Sequence, residues 1–212
     1  MSVEREKQAA AEAAALLVEH GMTVGLGTGS TVAHLLPALV ARGLTFRCVA
    51  TSLRTEDEAR ALGLPVEPFT GIARLDIAID GADQIAPDGW IVKGGGAAHT
   101  REKIVAASSD RFVVIASSDK LVDAIRPPIP LELLPYGFDA TLTRLGEVEL
   151  REVPPSPDCG VIADYLGPVE NPAEVAAWLA ATPGVVEHGL FPPELVSDVL
   201  IGRGDAVERL AL

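Results

Sequence analysis

The sequence predicts an α/β protein with two domains, and two observations support this prediction. Between residues 22 and 116, short β-rich runs alternate with helical stretches, which is the pattern of a parallel sheet with helical crossovers. After the proline-rich residues 126–130, the order changes to strand, helix, strand, strand, helix, strand. That order is the split βαβ arrangement of ferredoxin-like domains. We therefore expect a larger parallel-sheet domain and a smaller α+β domain.

The larger domain opens with a helix. The alanine-rich residues 1–17 predict an amphipathic helix, because acidic side chains interrupt the stretch in a way that is untypical of a signal peptide. Ser30 is the expected N-cap of a helix over residues 32–40, and Gly43 and Gly63 are expected to end helices. The expected strands of this domain are residues 22–26, 46–50, 75–80, 91–93 and 111–116.

The smaller domain follows the prolines, which disfavour helix and fit a domain junction. Its strands and helices are expected, in the order given above, at residues 131–134, 139–145, 148–153, 161–166, 172–180 and 185–190. Residues 198–201 predict one more strand, which we expect to return to the larger domain. The predicted domains are residues 1–126 with 198–212, and residues 127–197.

Composition excludes several classes of function. The 212 residues are 48% hydrophobic and 22% charged, which is typical of a globular protein, and no stretch is apolar for long enough to predict a membrane span. A net charge of −13 without a Lys/Arg cluster argues against nucleic acids and anionic membranes as partners. Two cysteines are too few for a disulfide framework, so we expect a cytoplasmic protein.

The first candidate site is the glycine-rich turn of residues 25–31, where a strand ends and a helix begins. Such a turn directs backbone N–H groups and hydroxyls at an anion, although glycines needed only for packing would give the same pattern. A dinucleotide-binding fingerprint would need a third glycine at Ser30 and an acidic residue after the second strand. A Walker A loop would need Gly-Lys before Ser or Thr. The sequence has neither pattern.

The second candidate site lies at the end of the strand predicted over residues 75–80. This buried strand delivers Asp80 and, just beyond it, Asp83 to the edge at which α/β sheets bind ligands. Neighbouring carboxylates raise one another's pKa, which suits proton transfer. A polar turn in which Asp83 is only a cap is the alternative.

The third candidate site is the segment 93–103, where three glycines follow Lys93 and Glu102 lies early in the next helix. Glycines at this place let the backbone pass close to a ligand, while a flexible linker is the alternative. Lys93 can stabilise an oxyanion, and Glu102 can point toward the same sheet edge. The alternative for Glu102 is a carboxylate that only complements the helix dipole.

Three other patterns carry less weight. Ser117 and Lys120 have a Ser-x-x-Lys spacing, but the companion motifs of serine enzymes with that spacing are absent. His99 and Glu102 could share a metal ion, but the remaining histidines are scattered, so we expect no metal site. Lys120 follows the last strand of the larger domain and can reach a phosphate at the sheet edge, although a solvated lysine is the ordinary expectation.

Together these segments resemble the ribose-5-phosphate isomerase family of type A, with matching order and spacing. The motifs that carry the resemblance are residues 27–31, 80–83, 93–96 and 100–103, and weaker similarity extends over the rest of the chain. The resemblance implies a Rossmann-like domain with a smaller ferredoxin-like domain, no metal or other cofactor, and a homodimer or homotetramer. It also implies interconversion of D-ribose 5-phosphate and D-ribulose 5-phosphate through an enediolate, in the non-oxidative pentose phosphate pathway.

The resemblance assigns roles to individual residues. Glu102 is the expected proton-transferring base, and Asp80, Asp83 and Lys93 are the other expected catalytic residues. The expected contacts to the pentose phosphate are Lys7, Thr28, Gly29, Ser30, Thr31, Asp80, Gly81, Ala82, Asp83, Lys93, Gly94, Gly95, Gly96 and Lys120.

The chain departs from the family pattern at two places. Gln84 stands where the family commonly has Glu, which removes a negative charge beside Asp83. Val161 stands where the family usually has Asn, in a predicted hairpin of the smaller domain.

Two other functions remain open: a coenzyme A transferase with Glu102 as covalent acyl carrier, and a sugar-phosphate sensor that binds without chemistry. The chain is short for a coenzyme A site, and no DNA-binding segment accompanies a sensor.

Overall fold

A computed structural model describes residues 2–210. Its α-helices are α1 (Val3–Ala15), α2 (Ser30–Ala41), α3 (Leu53–Ala61), α4 (His99–Ala107), α5 (Phe138–Leu145) and α6 (Pro172–Ala181). Its strands are β1 (Thr23–Leu26), β2 (Arg47–Ala50), β3 (Ile77–Asp80), β4 (Gln84–Ile85), β5 (Ile91–Val92), β6 (Phe112–Ser117), β7 (Ile129–Leu133), β8 (Val148–Leu150), β9 (Val161–Tyr165), β10 (Val185–His188), β11 (Leu190–Phe191), β12 (Asp198–Arg203) and β13 (Ala206–Leu210). Short 3₁₀ helices cover Ser118–Lys120 and Pro193–Leu195. None of the helices within these residues is long and apolar enough to cross a membrane.

The largest sheet of residues 2–210 has six strands in the order β13-β12-β6-β3-β1-β2. All neighbours are parallel except β13, which pairs antiparallel with β12 at one edge. The inner strands are short apolar runs, and every residue of β6 is buried, as expected for a parallel sheet covered on both faces. The chain moves from β1 to β2 on one side and then to β3 on the other side. The strand order therefore reverses between β1 and β3, where α/β sheets bind ligands.

A second sheet, formed over residues 129–188, has four antiparallel strands in the order β10-β7-β9-β8. Helix α5 connects β7 to β8, and α6 connects β9 to β10. The apolar residues Leu131, Leu133 and Ala163 are buried in a core to which both helices contribute. This topology confirms the split βαβ arrangement that the sequence predicts.

The chain folds into two compact units. The first unit contains Met1–Ala82, Arg101–Leu121 and Glu194–Leu212, and the second contains Asp83–Thr100 and Val122–Pro193. The predicted domains differ from these units mainly at residues 83–100, which we assigned to the larger domain. In the structure, β4 and β5 of that segment pair with each other and with β11, which belongs to the second unit. The predicted domain boundaries stay a prediction.

Three predicted strands are wrong in their pairing or extent, and one of them, predicted over residues 148–153, ends at Leu150. We placed residues 91–93 in the parallel sheet, but Ile91–Val92 pairs antiparallel with β4 and β11 in a small separate sheet. A run of only two buried apolar residues shows no periodicity, so the sequence does not indicate which strand it pairs with. We also predicted one strand over residues 185–190, but the structure has β10 and β11, which lie in different sheets. The break falls at Gly189, where a Cβ would lie 2.2 Å from the Lys93 carbonyl oxygen.

The observed helix ends agree with the predicted ones except at the N-terminus of α2. Gly43 and Gly63 follow α2 and α3 with φ of +60° and +82°, the left-handed conformation that ends helices and favours glycine. The N-cap of α2 is Gly29, and Ser30 is the first helical residue, so the predicted Ser30 cap is wrong. Strand β13 is not among the predicted elements, because its residues are partly charged and mostly exposed and do not form an apolar run.

The two cysteines differ in accessibility, and this gives a test of the fold. Cys48 in β2 is fully buried, and burial, with a smaller contribution from Glu67, raises the pKa of its thiol to about 12. Cys159 is exposed in the turn before β9. Because the thiolate is the reactive form, we expect a thiol reagent to label Cys159 in the native protein and Cys48 only after denaturation. Peptide mass spectrometry measures this order, and rapid native labelling of Cys48 would contradict the structure.

Candidate active site

The glycine-rich turn after β1 is built against Asp80, at the end of β3. The Gly27 N–H donates to the Ile79 carbonyl at 3.0 Å, which continues the pairing of β1 with β3. A Cβ at Gly27 would lie 1.9 Å from the Asp80 Cγ, so only glycine fits. Asp80 Oδ1 accepts from the Thr28 N–H at 3.0 Å and the Gly81 N–H at 2.7 Å, and the residue is 2% exposed. The turn therefore fixes the orientation of a buried carboxylate.

Hydrogen bonds of threonine hydroxyls support this turn. Thr28 Oγ1 and Thr51 Oγ1 are hydrogen-bonded at 2.8 Å, and Thr55 Oγ1 donates to the Gly27 carbonyl at 2.9 Å. Ser52 caps α3 by accepting the Thr55 N–H at 3.1 Å, which holds Thr55 in place. The sequence analysis missed Thr55, since a threonine in the first turn of a helix gives no signal that it reaches a loop 28 residues earlier.

The N-terminus of α2 faces the end of the same turn. Gly29 has φ of +126°, a conformation that strongly favours glycine, and as N-cap it has no side chain to occupy the helix end. The first backbone hydrogen bond of the helix is donated by Ala33 to the Gly29 carbonyl at 3.0 Å. The N–H groups of Ser30, Thr31 and Val32 precede that bond, and such N–H groups together with the helix dipole favour an anion.

Three other predicted site residues belong to the first unit. Glu102 lies in the first turn of α4 and is only 3% exposed, whereas a carboxylate that merely complements a helix dipole usually faces solvent. Lys7 in α1 pairs with Glu4 at 2.6 Å and has a side chain that is 14% exposed. Lys120 ends the 3₁₀ helix Ser118–Lys120, 3.9 Å from Asp119.

The glycine loop after β5 belongs to the second unit. Gly94 has φ of +108°, and a Cβ there would lie 2.8 Å from both Pro130 Cβ and His99 Nδ1. The Gly95 N–H donates to Asp83 Oδ2 at 2.7 Å, and a Cβ at Gly95 would lie 2.7 Å from Asp83 Oδ1. The structure thus brings Asp83 and the glycine loop together. The close approach of neighbouring side chains therefore explains Gly94 and Gly95, and a flexible linker does not.

Lys93 is buried at the start of this loop. The residue is 2% exposed, and its N–H donates to the Gly189 carbonyl at 2.9 Å. Its ammonium lies 5.6 Å from the centre of the Phe191 ring, within the range of a cation–π interaction. A buried lysine is suited to meet developing negative charge.

Gln84, one of the two departures from the family pattern, forms hydrogen bonds with the backbone of a neighbouring segment. Its Nε2 donates to the Arg126 carbonyl at 2.7 Å, and its Oε1 accepts the Arg126 N–H at 2.9 Å. A carboxylate could accept from that N–H but could not donate to the carbonyl. The structural role of Gln84 is therefore to tie β4 to the segment before β7. The other departure, Val161, opens β9 opposite Leu133.

This pairing predicts the effect of Gln84→Glu. We expect a loss of about 1 kcal/mol in the free energy of unfolding at neutral pH, because two acceptors would face each other. The loss should shrink as the pH falls below about 4, since a protonated carboxyl regains a donor. Urea denaturation of both proteins across this pH range measures the difference. Equal stability at pH 7 would contradict the assigned role.

The candidate metal pair His99 and Glu102 gains no further ligands in the structure. Across the described part of the chain, no group of three or more His, Cys, Asp or Glu side chains is arranged to hold a metal ion.

Comparison with known proteins identifies the family. Residues 47–206 match the model of the family described as ribose 5-phosphate isomerase A (phosphoriboisomerase A). Ribose-5-phosphate isomerase A of Halobacterium salinarum is 44% identical over 97% of this chain and 95% of its own length. The structure of ribose 5-phosphate isomerase A from Methanocaldococcus jannaschii matches at a TM-score of 0.92, with 32% identity and 99% of each chain covered. A D-ribose-5-phosphate isomerase in complex with phospho-erythronic acid matches at 0.92, with 31% identity and the same coverage. This chain belongs to the ribose 5-phosphate isomerase A family.

Proposed function

We infer that this chain is an aldose–ketose isomerase that interconverts D-ribose 5-phosphate and D-ribulose 5-phosphate. The observation that carries the inference is the similarity to ribose-5-phosphate isomerase A enzymes over nearly the whole chain. The four motif segments that resemble the family lie at strand ends, in turns and at helix starts. The enzyme thereby acts in the non-oxidative pentose phosphate pathway.

The reaction moves one proton between neighbouring carbons. In the aldose-to-ketose direction, a base removes the C2 proton, an enediolate forms over C1 and C2, and the same proton or one from solvent is delivered to C1. The accompanying proton passes from the C2 hydroxyl to the C1 oxygen. We assign the base to Glu102, whose burial on the first turn of α4 supports a role beyond the helix dipole. We assign stabilisation of the enediolate oxygen to Lys93 and to the N–H groups of the glycine loop other than that of Gly95, which donates to Asp83.

The phosphate is assigned to the turn of residues 28–31. The N–H groups at the start of α2 support this assignment, because they precede the first hydrogen bond of the helix. Lys7 and Lys120 supply positive charge, which matters in a chain of net charge −13. Asp80, which the turn holds in one orientation, assists the opening of the furanose ring. A phosphorylated sugar acid bound by a relative is the class of ligand that such a site would take.

Assembly and location are proposed from the family. We propose a homodimer or homotetramer in the cytoplasm. Light scattering of the purified protein measures the mass of the assembly, and a monomer at micromolar concentration would contradict the proposal.

The activity is tested with purified protein and ribose 5-phosphate in the absence of added cofactor. We expect ribulose 5-phosphate to form, and in D₂O we expect deuterium at C1 of the ketose, because an enediolate route exposes the transferred proton to solvent. Absence of ketose would overturn the inference, and a product free of deuterium after many turnovers at equilibrium would overturn the enediolate route. A thioester trapped on Glu102 with an acyl-coenzyme A would favour a transferase. Binding without turnover would favour a sensor.

A further inference from the structure

Arg151 lies between a strand of the four-stranded sheet and the glycine loop. It follows β8, and its Nε and Nη2 each donate to a different carboxylate oxygen of Asp164 at 2.6 Å. Its Nη1 donates to the carbonyl of Gly94 at 2.8 Å and to that of Gly95 at 3.3 Å. The side chain is 18% exposed, and that of Asp164 is 16% exposed. One guanidinium therefore joins β9 to a loop 57 residues earlier in the chain.

The glycine loop is held from both sides. Asp83 accepts the Gly95 N–H, and the carbonyl groups of Gly94 and Gly95 point to Arg151. In a trans peptide the N–H points away from the carbonyl. Binding the Gly94 carbonyl therefore directs the Gly95 N–H toward Asp83, and binding the Gly95 carbonyl directs the Gly96 N–H to the side opposite Arg151. The Gly94 carbonyl also accepts the Ala97 N–H at 3.0 Å, so Arg151 adds to a turn hydrogen bond there, and its contact with the Gly95 carbonyl orients the next peptide.

Arginine is the residue that this arrangement requires. The forked guanidinium can bind a carboxylate with two N–H groups and still direct a third at carbonyl oxygens, whereas the ammonium of lysine is a compact point charge. Asp164 raises the pKa of Arg151 against the opposing effect of burial, and Asp83 adds to the rise, so the group stays cationic at every working pH.

We propose that Arg151 is a positioning residue for the reaction, which fixes the peptide planes of residues 94–96 and so presents the Gly96 N–H to the substrate. This inference rests on the proposed function, because it assigns the loop to the isomerase site. Arg151 acts through the loop backbone and through Asp164. The sequence gives no signal for this role, since residue 151 lies in a predicted strand of the smaller domain.

A purely structural role for the Arg151–Asp164 pair makes a different prediction. Removing one member of a buried ion pair leaves an uncompensated charge, so Arg151→Met destabilises the fold under either view. The double variant Arg151→Met with Asp164→Asn removes that charge and should recover stability. Under the positioning role the loop still lacks the Arg151 donor that orients the Gly95 carbonyl, so activity stays low. Under the structural role activity returns with stability.

The test compares the parental enzyme, Arg151→Met, the double variant and Arg144→Met, in which a solvent-exposed arginine of the same unit is replaced. We expect kcat to fall by about 10- to 100-fold in both Arg151 variants, because a small misplacement of binding groups has effects of that size, and to stay at the parental value in Arg144→Met. Melting temperatures should fall in Arg151→Met and return toward the parental value in the double variant. If Arg151→Met does not fold, Arg151→Lys replaces it in the comparison with the double variant. We expect the kcat of Arg151→Lys to be several-fold lower than that of the parental enzyme.

A second measurement does not depend on activity. Hydrogen–deuterium exchange of a peptide that covers residues 93–97 should be faster in both Arg151 variants than in the parental protein. Parental kcat in folded Arg151 variants, or a double variant that regains activity together with stability, would overturn the proposal. Unchanged exchange of the loop amides would also overturn it. A parental protein that makes no ketose would instead overturn the proposed function, and the exchange data would still test the role of Arg151 in ordering the loop.

Discussion

Glu102→Gln is expected to lower kcat/KM for ribose 5-phosphate by about 10² to 10⁴, because a general base contributes that much and glutamine cannot accept the C2 proton. Gln has nearly the same volume as Glu and keeps a hydrogen-bonding group at the 3% exposed position, so the fold should remain intact. The substitution therefore separates proton transfer from packing. Steady-state assays of ketose formation measure the loss, and deuterium incorporation from D₂O should fall in parallel.

The competing explanation for Glu102 is electrostatic complementation of the α4 dipole. On that explanation, Glu102→Gln would reduce the free energy of unfolding by about 0.3 to 1 kcal/mol and leave turnover unchanged. Glu19→Gln is a matched control, since it removes the same charge from an exposed residue of the same unit. Parental kcat/KM in a folded Glu102→Gln protein would remove Glu102 from the mechanism. Loss of activity in Glu19→Gln would mean that net charge, rather than the base, controls the rate.

Local patterns were sufficient to predict the architecture. The strands β1, β2, β3 and β6 are largely apolar runs that alternate with helical stretches, and such alternation predicts a parallel sheet. After the proline-rich segment, the order of the strands and helices was sufficient to define the split βαβ topology. The exceptions are short elements. Ile91–Val92 pairs with segments near and far in the chain, and its partners depend on tertiary contacts that a two-residue run cannot encode.

The candidate site was predictable only in its motif segments. Glycines at positions 27, 29, 94 and 95 are visible in the sequence, and the structure gives each of them a steric or conformational reason. The residues that hold these segments were not visible. Thr55, Gln84 and Arg151 act through contacts 28, 42 and 57 residues distant in the chain. The sequence marks Gln84 only as a departure from the family pattern, and it gives no signal for the contacts of any of the three. A supporting residue of this kind is defined by the backbone group it meets, which is a property of the folded chain.

Gly27→Ala is expected to disrupt the site from a position that has no functional group of its own. The new methyl carbon would lie 1.9 Å from Asp80 Cγ and 2.0 Å from Asp80 Oδ1, far inside van der Waals contact. Either the turn or the Asp80 side chain must move. If Asp80 moves, its carboxylate loses the N–H groups of Thr28 and Gly81. We expect a loss of about 1 to 3 kcal/mol in the free energy of unfolding and at least about a tenfold fall in kcat/KM.

A thermodynamic cycle shows whether the collision with Asp80 is the cause. Gly81→Ala is the matched control for stability, because a Cβ there would meet only the Ile115 carbonyl oxygen, at 3.9 Å. An Asp80→Gly background removes the three atoms nearest to the added methyl, so Gly27→Ala should cost much less free energy of unfolding there than in the parental protein. Urea denaturation of the four proteins of the cycle gives the coupling. An equal cost in both backgrounds would show that the alanine is excluded by something other than Asp80. A large coupling would mean that this glycine serves the site by leaving space for a carboxylate whose orientation is set by the backbone around it.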